Sequence, residues 1–503
     1  MSVAAPPSPE AVRLAPRLGV WGGLAALALV LVLPAPEGLE PAAWRAAGVA
    51  LLMAIWWMTE ALPIAATALV PVALFPLLEV ASIREAGASY AHPIIFLFLG
   101  GFLLAKGLER WNLHRRIALR VIAAVGTEPR RIVLGFMLAA GLLSMGISNT
   151  ATAVMMLPIA LSVVDLARRD DVGTAAEDHT FALTLMLGVA YACSVGGLGT
   201  LIGTPTNALL AGFVEETYGV EISFAGWMAL GVPLVAVGLA TVYLVLTRVI
   251  FPLRLEGIPG GQAFIREQLA ALGPLSTPER RVALVFGGVA VLWMVRPLLQ
   301  TVVPGASDGG LAILGAVLLF ALPAGAASGA EGAASGARLL DWATARTLPW
   351  GILLLFGGGL SLAGAISETG LAAWIGAQLA LVGALPTWAL VAVVVVVIVL
   401  LTELTSNVAT AAAFLPVLAA LATSVGAAPG LLLVAATVAA SCAFMLPVAT
   451  PANAIAYGSG HVSMAEMAKA GVWLNVVFVV LVTAVAVLAV PALSGTALPA
   501  LQP

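Results

Sequence analysis

The longest uncharged stretch of the sequence restricts the fold more than any other feature. Residues 404–465 contain no Asp, Glu, Lys or Arg, and three more apolar runs, at 132–164, 182–214 and 369–402, exceed 30 residues. A helix needs about 20 residues to cross a hydrocarbon core of about 30 Å, so each run is longer than one crossing. Only helices satisfy the backbone in lipid over such lengths, because membrane β-barrel strands are short and alternate in polarity. The sequence predicts an all-α polytopic membrane protein whose chain reverses inside the bilayer.

Composition excludes several other classes. Apolar residues make up 61% of the 503 residues and charged residues 9%, against roughly 45–50% and 25% in soluble domains. The net charge is −3 and no basic tail occurs, so nucleic acid is not an expected partner. The metalloprotease motif HExxH and the P-loop motif GxxxxGK[ST] do not occur. We expect no enzyme and no organic cofactor.

The charge-free runs predict about eleven full crossings and two re-entrant hairpins. If the N-terminus is cytoplasmic, 19 of the 22 Lys and Arg residues fall on the cytoplasmic side, and only Arg45, Arg84 and Arg296 fall outside. This bias follows the rule that positive loops stay inside. We predict a protein of the cell membrane with its C-terminus outside. The basic stretch from Lys106 to Arg131 predicts an amphipathic helix along the cytoplasmic interface.

Two halves of the chain repeat each other. Ser148-Asn149-Thr150 recurs as Ser406-Asn407-Val408, 258 residues later, and Thr204-Pro205-Thr206-Asn207 recurs as Thr450-Pro451-Ala452-Asn453, 246 residues later. Arg130, Arg131, Arg168 and Arg169 flank the first island, whereas no Lys or Arg lies between Arg346 and Lys469 around the second. The two copies are therefore expected to be inverted, as in secondary transporters.

The repeat divides the chain into seven predicted segments. They are a cytoplasmic N-terminus (1–17), first-repeat scaffold spans with the amphipathic helix (18–127), a first transport part (128–222, with hairpin 130–166 and broken helix 180–214), a span and cytoplasmic linker (223–281), second-repeat scaffold spans (282–385), a second transport part (386–460, with hairpin 386–422 and broken helix 430–459), and a last span with the C-terminus (461–503).

Polar islands midway through apolar runs predict binding sites. Ser and Asn at a hairpin tip can cap the half-helix that follows, whose free N–H groups attract an anion. Side-chain oxygens and unwound carbonyls at the same place attract a small cation such as Na⁺. The economical reading is two related cation sites around one anion site. The repeat pairs that fit it are Ser144 with Thr402, Ser148 with Ser406, and Asn149 with Asn407.

The Thr-Pro motifs and one carboxylate add further candidates. Proline should unwind both helices at these motifs, freeing the carbonyls of Gly203 and Ala449. Glu403 lies inside an apolar hairpin, where burying a carboxylate costs free energy. A carboxylate in such a place is therefore a candidate functional residue. Its repeat mate is Met145, so it belongs to one cation site only, as an organiser of the site or as a proton carrier. Further candidate polar contacts are Thr204, Asn207, Thr450 and Asn453.

Four alternative explanations stay open. Small polar residues can serve helix packing alone, and proline can produce a mere kink. An anion channel or a membrane-embedded enzyme could share the composition, although neither needs two mirrored polar breaks.

At these residues the sequence resembles the divalent anion/sodium symporter family, which includes sodium-coupled dicarboxylate, citrate and sulfate transporters. The resemblance covers nearly the whole chain, and the four motifs occur in the family's order. It implies a homodimer, in which each protomer has a scaffold domain and a mobile transport domain that moves like an elevator.

The resemblance also implies the binding residues. One Na⁺ site would use Ser144, Ser148, Asn149 and Gly203, and the other Thr402, Ser406, Asn407 and Ala449. A dianionic substrate would lie between the tips, against Ser148, Asn149, Thr150, Ser406, Asn407, Val408, Thr204, Pro205, Thr450 and Pro451.

Two positions depart from the family's pattern. Val408 replaces a frequent threonine and removes one hydroxyl from the substrate site, and Ala452 replaces a common proline. We expect Na⁺-coupled import of C4-dicarboxylates such as succinate, malate or fumarate. Sodium-independent dicarboxylate exchange, or sulfate or citrate transport, remains the alternative.

Overall fold

A computed structural model describes residues 11–126, 128–169, 174–255, 257–258, 260–325, 337–379, 385–495 and 498. Within these residues the chain is helical and forms no strand beyond two isolated bridges. The helices are α1 Ala11–Val32, α2 Pro41–Met58, α3 Ile64–Thr67, α4 Val70–Leu77, α5 Ile83–Ala88, α6 Pro93–Arg110, α7 Leu113–Val125, α8 Pro129–Ser144, α9 Asn149–Arg169, α10 Ala175–Gly197, α11 Pro205–Tyr218, α12 Phe224–Leu244, α13 Gly261–Ala271, α14 Thr277–Met294, α15 Arg296–Leu299, α16 Asp308–Ala321, α17 Trp342–Ala345, α18 Trp350–Glu368, α19 Leu371–Leu379, α20 Thr387–Thr402, α21 Asn407–Ser424, α22 Pro429–Ala440, α23 Pro451–Gly458 and α24 Met464–Leu493.

Eight helical segments of the described chain are long and apolar enough to cross a membrane. They are Pro41–Met58, Ile83–Arg110, Asn149–Arg168, Ala175–Gly197, Phe224–Ile250, Trp350–Glu368, Asn407–Ser424 and Met464–Leu493. Shorter apolar helices lie in other expected spans, including Asp308–Ala321 and Thr387–Thr402. The all-helical, multi-span class is confirmed, whereas the count of eleven crossings stays a prediction.

Both halves of the chain have the same helix boundaries at the two hairpin tips. Helices α8 and α20 are each 16 residues long and end at Ser144 and Thr402. The helices that follow them begin at the related residues Asn149 and Asn407. The post-break helix α11 packs against α21 and α22, and α23 packs against α9 and α10. Each repeat thus covers the polar break of the other.

The unwinding predicted at the Thr-Pro motifs is confirmed, and one helix prediction is wrong. Both broken helices are unwound up to the motif threonine, at 198–204 and 441–450, which includes Gly203 and Ala449, and Pro205 and Pro451 are the first residues of the helices that follow. Proline suits this position because the first helical N–H needs no intrahelical partner. The basic stretch from Lys106 to Arg131 is not one helix, because α6 runs to Arg110 and Asn112 turns the chain with a φ of 55° before α7.

Buried Arg116 ties α7 to the segment between α13 and α14. Its guanidinium donates to Glu279 at 2.8 and 3.1 Å and to the carbonyl oxygens of Leu272 and Gly273 at 3.0 and 2.9 Å. The Arg116 and Glu279 side chains are only 4% and 6% exposed. This arginine caps the last turn of α13 and neutralises a buried carboxylate.

Arg116→Met should lower the melting temperature of the purified protein by a few degrees. The substitution leaves a buried Glu279 without its cation, a type of change that costs about 3–5 kcal/mol, and larger proteins lose fewer degrees per kcal/mol. Thermal unfolding, monitored by size-exclusion chromatography, measures the change in melting temperature. Arg131→Met is the control, because the Arg131–Glu128 pair is exposed and such pairs contribute about 0–1 kcal/mol. Equal melting temperatures for the two variants would contradict the assignment.

Candidate sodium and substrate site

Oxygen atoms of the first repeat converge where α8 ends, α9 begins and α10 is interrupted. A Cβ atom on Gly203 would lie 2.9 Å from the Ser144 carbonyl oxygen and would collide with that of Gly197. A Cβ on Gly197 would lie 2.9 Å from Asn149 Oδ1 and 3.1 Å from the Gly203 carbonyl oxygen. Glycine at both positions leaves a cradle of three carbonyl oxygens and one amide oxygen.

Two side-chain oxygens at this cradle have no N–H or O–H donor among the described residues. Ser144 Oγ and Asn149 Oδ1 are buried, and the polar neighbour of Ser144 Oγ is the buried Cys193 thiol, a weak hydrogen-bond donor. A buried polar atom without a partner costs about 1–3 kcal/mol. A small cation bound by oxygen ligands would remove that cost, and this donor set is the hard oxygen type that Na⁺ takes at such breaks.

The second repeat has a related oxygen cluster. Thr402 Oγ1 lies 2.7 Å from Asn407 Oδ1 and 2.6 Å from the Ala440 carbonyl oxygen. The threonine is fully buried and supplies one hydrogen, whereas both neighbours only accept. Three oxygens therefore share one proton, and a cation among them would satisfy the remaining lone pairs.

The structure changes some details of this second cluster. The carbonyl oxygen that Thr402 reaches is that of Ala440, at the end of α22, which sequence reasoning did not select. Ala449, the expected carbonyl donor, is buried later in the same break. Ala440 directly precedes the break, and this position is the feature of the sequence that could have indicated its carbonyl oxygen as a ligand.

The two serines at the tips differ in their capping. Ser148 Oγ accepts the Ala151 N–H at 3.2 Å and caps α9, as expected. Ser406 occupies the N-cap of α21 but makes no such bond, so the expectation that it caps α21 is wrong. Its side chain is half-buried, and the first N–H groups of α21 keep no cap from it.

Asn207 and Asn453 hold the two breaks in the same way. Asn207 Nδ2 donates to the carbonyl oxygens of Gly197 and Thr200 at 3.1 and 2.8 Å. Asn453 Nδ2 donates to those of Ala443 and Leu446, both at 3.1 Å. Both asparagines are fully buried. Each one clamps an unwound segment from the helix that follows it.

Glu403 organises the second break alone. Its carboxylate accepts the backbone N–H groups of Phe444, Met445 and Leu446 at 2.7 to 3.2 Å, and Asn475 Nδ2 donates to it at 2.7 Å. Glu403 is 3% exposed. Hydrogen bonds to a charged acceptor are worth about 1.5–3 kcal/mol, so this carboxylate holds residues 444–446 against the end of α20.

The repeat mates of Glu403 and Leu446 also contact each other. They are Met145 and Thr200, and the Thr200 hydroxyl donates to the Met145 carbonyl oxygen. In both repeats the hairpin therefore contacts the break through the same pair of related positions. The contact is a neutral hydroxyl–carbonyl hydrogen bond in the first repeat, and the Glu403 carboxylate makes it in the second. Asn475, within the apolar run of α24, and Tyr191, which donates to the Phe444 carbonyl oxygen at 2.7 Å, complete the second arrangement.

Four helix N-termini provide the positive ends for an anion. Helices α9, α11, α21 and α23 begin at the tip and motif residues, and no Lys or Arg occurs at either tip or either break. Their first N–H groups have no intrahelical acceptor and carry partial positive charge. Thr150 is exposed, and Asn149, Asn407 and Val408 are half-buried, so these residues are accessible to a ligand.

The fold and the paired breaks define a polytopic membrane transporter. A family model described as "Sodium:sulfate symporter transmembrane region" matches residues 19–493. The chain belongs to this family, as its motifs indicated, and membership in a transporter family confirms that it is not an enzyme.

Curated relatives and a solved structure agree with this assignment. A protein of Staphylococcus saprophyticus named sodium-dependent dicarboxylate transporter SdcS is 43% identical over 93% of this chain and 90% of its own length. Its namesake in Staphylococcus aureus strain USA300 is 42% identical over 89% and 86%. The crystal structure of the Alcanivorax borkumensis YdaH transporter matches 97% of this chain and all of that chain, with a TM-score of 0.53 and 16% identity, and supports the fold alone.

Proposed function

We propose that this chain imports C4-dicarboxylates such as succinate, malate and fumarate together with Na⁺. The observation that carries the proposal is the pair of repeat-related oxygen clusters, each with a hairpin-tip asparagine. Ser144, Asn149 and Gly203 belong to the first, and Thr402 and Asn407 to the second. The predicted donors Ser148, Ser406 and Ala449 lie in the same tips and break, and the Ala440 carbonyl oxygen joins the second set.

Charge argues for coupled binding of anion and cation. The dianion has no Lys or Arg at the tips or breaks, so helix N-termini and bound Na⁺ must neutralise it. Anion and Na⁺ affinities then raise each other by the same factor. This reciprocity is the thermodynamic basis of symport, and it favours Na⁺ coupling over sodium-independent exchange.

The named activity of the relatives favours a dicarboxylate among the possible anions. Both SdcS proteins are named for sodium-dependent dicarboxylate transport. A C4-dicarboxylate has a carboxylate at each end, and two hairpin tips offer one N-terminus to each. Ser148, Asn149 and Thr150 would meet one carboxylate, Ser406 and Asn407 the other, with Thr204, Pro205, Thr450 and Pro451 beside them.

The transport cycle is proposed to be an elevator movement. Helices α8–α11 and α20–α23 carry both tips and both breaks and would move as one transport domain against a scaffold of α1–α7 and α14–α19. The shared helix boundaries support two inverted repeats, and the arginine bias supports a cytoplasmic N-terminus and an external C-terminus. A homodimer in the cell membrane completes the proposal.

Uptake of radiolabelled succinate into proteoliposomes tests the function. Uptake should require an inward Na⁺ gradient, and K⁺ or choline should not replace Na⁺. Unlabelled malate and fumarate should compete, whereas sulfate and citrate should not. Uptake without Na⁺ that needs internal dicarboxylate would identify an exchanger, and competition by sulfate or citrate alone would reassign the substrate.

Val408→Thr should increase the affinity for succinate by about two- to fivefold. The added hydroxyl supplies one hydrogen-bond donor at the second tip, matching Thr150 at the first, and one such bond contributes about 0.5–1.5 kcal/mol. The KM for succinate at saturating Na⁺ measures the effect. Val393→Thr on α20 is the control, because Val393 is 49% exposed and lies well before the tip. An unchanged KM would place Val408 outside the substrate site.

A further inference from the structure

A buried side-chain hydrogen bond joins α11, the helix after the first break, to the second break. Thr206 Oγ1 and Ser441 Oγ are 2.9 Å apart, and the two residues are 0% and 3% exposed. Thr206 lies in the first turn of α11, and Ser441 follows the last residue of α22. The repeat mate of Thr206 is Ala452, so this contact has no counterpart on the other side.

Each end of this bond adjoins one candidate Na⁺ site. Thr206 is three residues after Gly203, whose carbonyl oxygen belongs to the first cradle, and its hydroxyl also lies 3.5 Å from Thr204 Oγ1. Ser441 directly follows Ala440, whose carbonyl oxygen belongs to the second cluster. A shift of either break on filling its site would therefore reach the other through two hydroxyl groups.

We propose that Thr206 and Ser441 are positioning residues that couple the two Na⁺ sites, so that occupation of one raises the affinity of the other. The proposal rests on the proposed function, because it needs two Na⁺ sites in the transport cycle. Two coupled sites give a Hill coefficient for Na⁺ between 1 and 2. Without the link, and with no dicarboxylate bound to couple them, each site fills independently.

Equilibrium binding of ²²Na⁺ to the purified protein without dicarboxylate tests the coupling, because a bound dianion would itself couple the two sites. Thr206→Val and Ser441→Ala should each bring the Hill coefficient for Na⁺ close to 1 and raise the half-saturating Na⁺ concentration about fivefold, a typical size for coupling between sites. The double variant should equal either single variant, because one hydrogen bond is lost in all three. The KM for succinate at saturating Na⁺ should stay within twofold of the wild type.

Two controls separate coupling from folding. Thr206→Ser keeps the hydroxyl and should keep the wild-type Hill coefficient. Thr437→Val removes another fully buried hydroxyl, on α22, that bonds only within its own helix, and it should leave the Na⁺ dependence unchanged. If Thr206→Val fails to fold, as judged by size-exclusion chromatography, Ser441→Ala with its smaller change carries the same test.

Two outcomes would overturn the inference in different ways. A wild-type Hill coefficient in Ser441→Ala, or additive effects in the double variant, would overturn the coupling and leave the proposed function intact. A wild-type protein that transports succinate without Na⁺ would overturn the proposed function and the coupling with it.

Discussion

Asn149→Ala and Asn407→Ala are each expected to lower Na⁺-dependent succinate uptake at least 100-fold. Each asparagine contributes its Oδ1 to an oxygen cluster and stands at the first position of a helix whose N-terminus faces the proposed substrate. Alanine removes the cation ligand and the side-chain amide together. A 100-fold loss corresponds to about 2.7 kcal/mol, close to the loss of one buried ligand. Initial rates of radiolabelled succinate uptake in proteoliposomes measure the effect.

Asn149→Asp separates the two roles of the first asparagine. Aspartate keeps an oxygen for Na⁺ but adds a negative charge beside the dianion, so Na⁺ binding should persist while succinate binding is lost. Binding of ²²Na⁺ and of labelled succinate to purified protein distinguishes the two. Ser162→Ala, at an exposed hydroxyl on the same helix α9, should transport normally. Full succinate uptake by Asn149→Ala would remove this tip from the site.

Glu403→Gln is expected to reduce uptake about 100-fold and to raise the half-saturating Na⁺ concentration. The carboxylate accepts three backbone N–H groups and the Asn475 amide, whereas glutamine would place its own NH₂ group against these donors. Buried donors left without an acceptor cost about 1–3 kcal/mol each. The second break would move away from α20, which carries Thr402. The Na⁺ dependence of uptake at saturating succinate measures this loss.

The controls for Glu403 distinguish positioning from general stability. Asn475→Ala removes one of the four donors and should have a smaller effect of the same kind. Glu60→Gln changes an exposed glutamate after α2 and should leave uptake unchanged. If Glu403→Gln only lowers the melting temperature and keeps the wild-type Na⁺ dependence, then Glu403 stabilises the fold without organising the site.

Much of the architecture could be predicted because it follows from local rules. Apolar run length indicates membrane helices whatever they pack against, and the 258-residue repeat of Ser148-Asn149 relates α8–α9 to α20–α21 before any contact is known. Proline follows a local rule as well. Pro205 and Pro451 mark the breaks, and the extended segment lies before each of them, because proline disfavours helix in the residue before it and suits the first helical position.

The site, too, was predictable from the sequence in part. Sequence alone determined that Ser144, Asn149, Thr402 and Asn407 occupy related positions, since repeats preserve spacing, and that Glu403 is exceptional, since a carboxylate in an apolar run is costly. Only the tertiary structure decided which carbonyl oxygen joins Thr402, which N–H groups Glu403 holds, and that Thr206 meets Ser441. These contacts link residues 38 to 235 positions apart, and such distant partners depend on how whole helices pack, which no local pattern records.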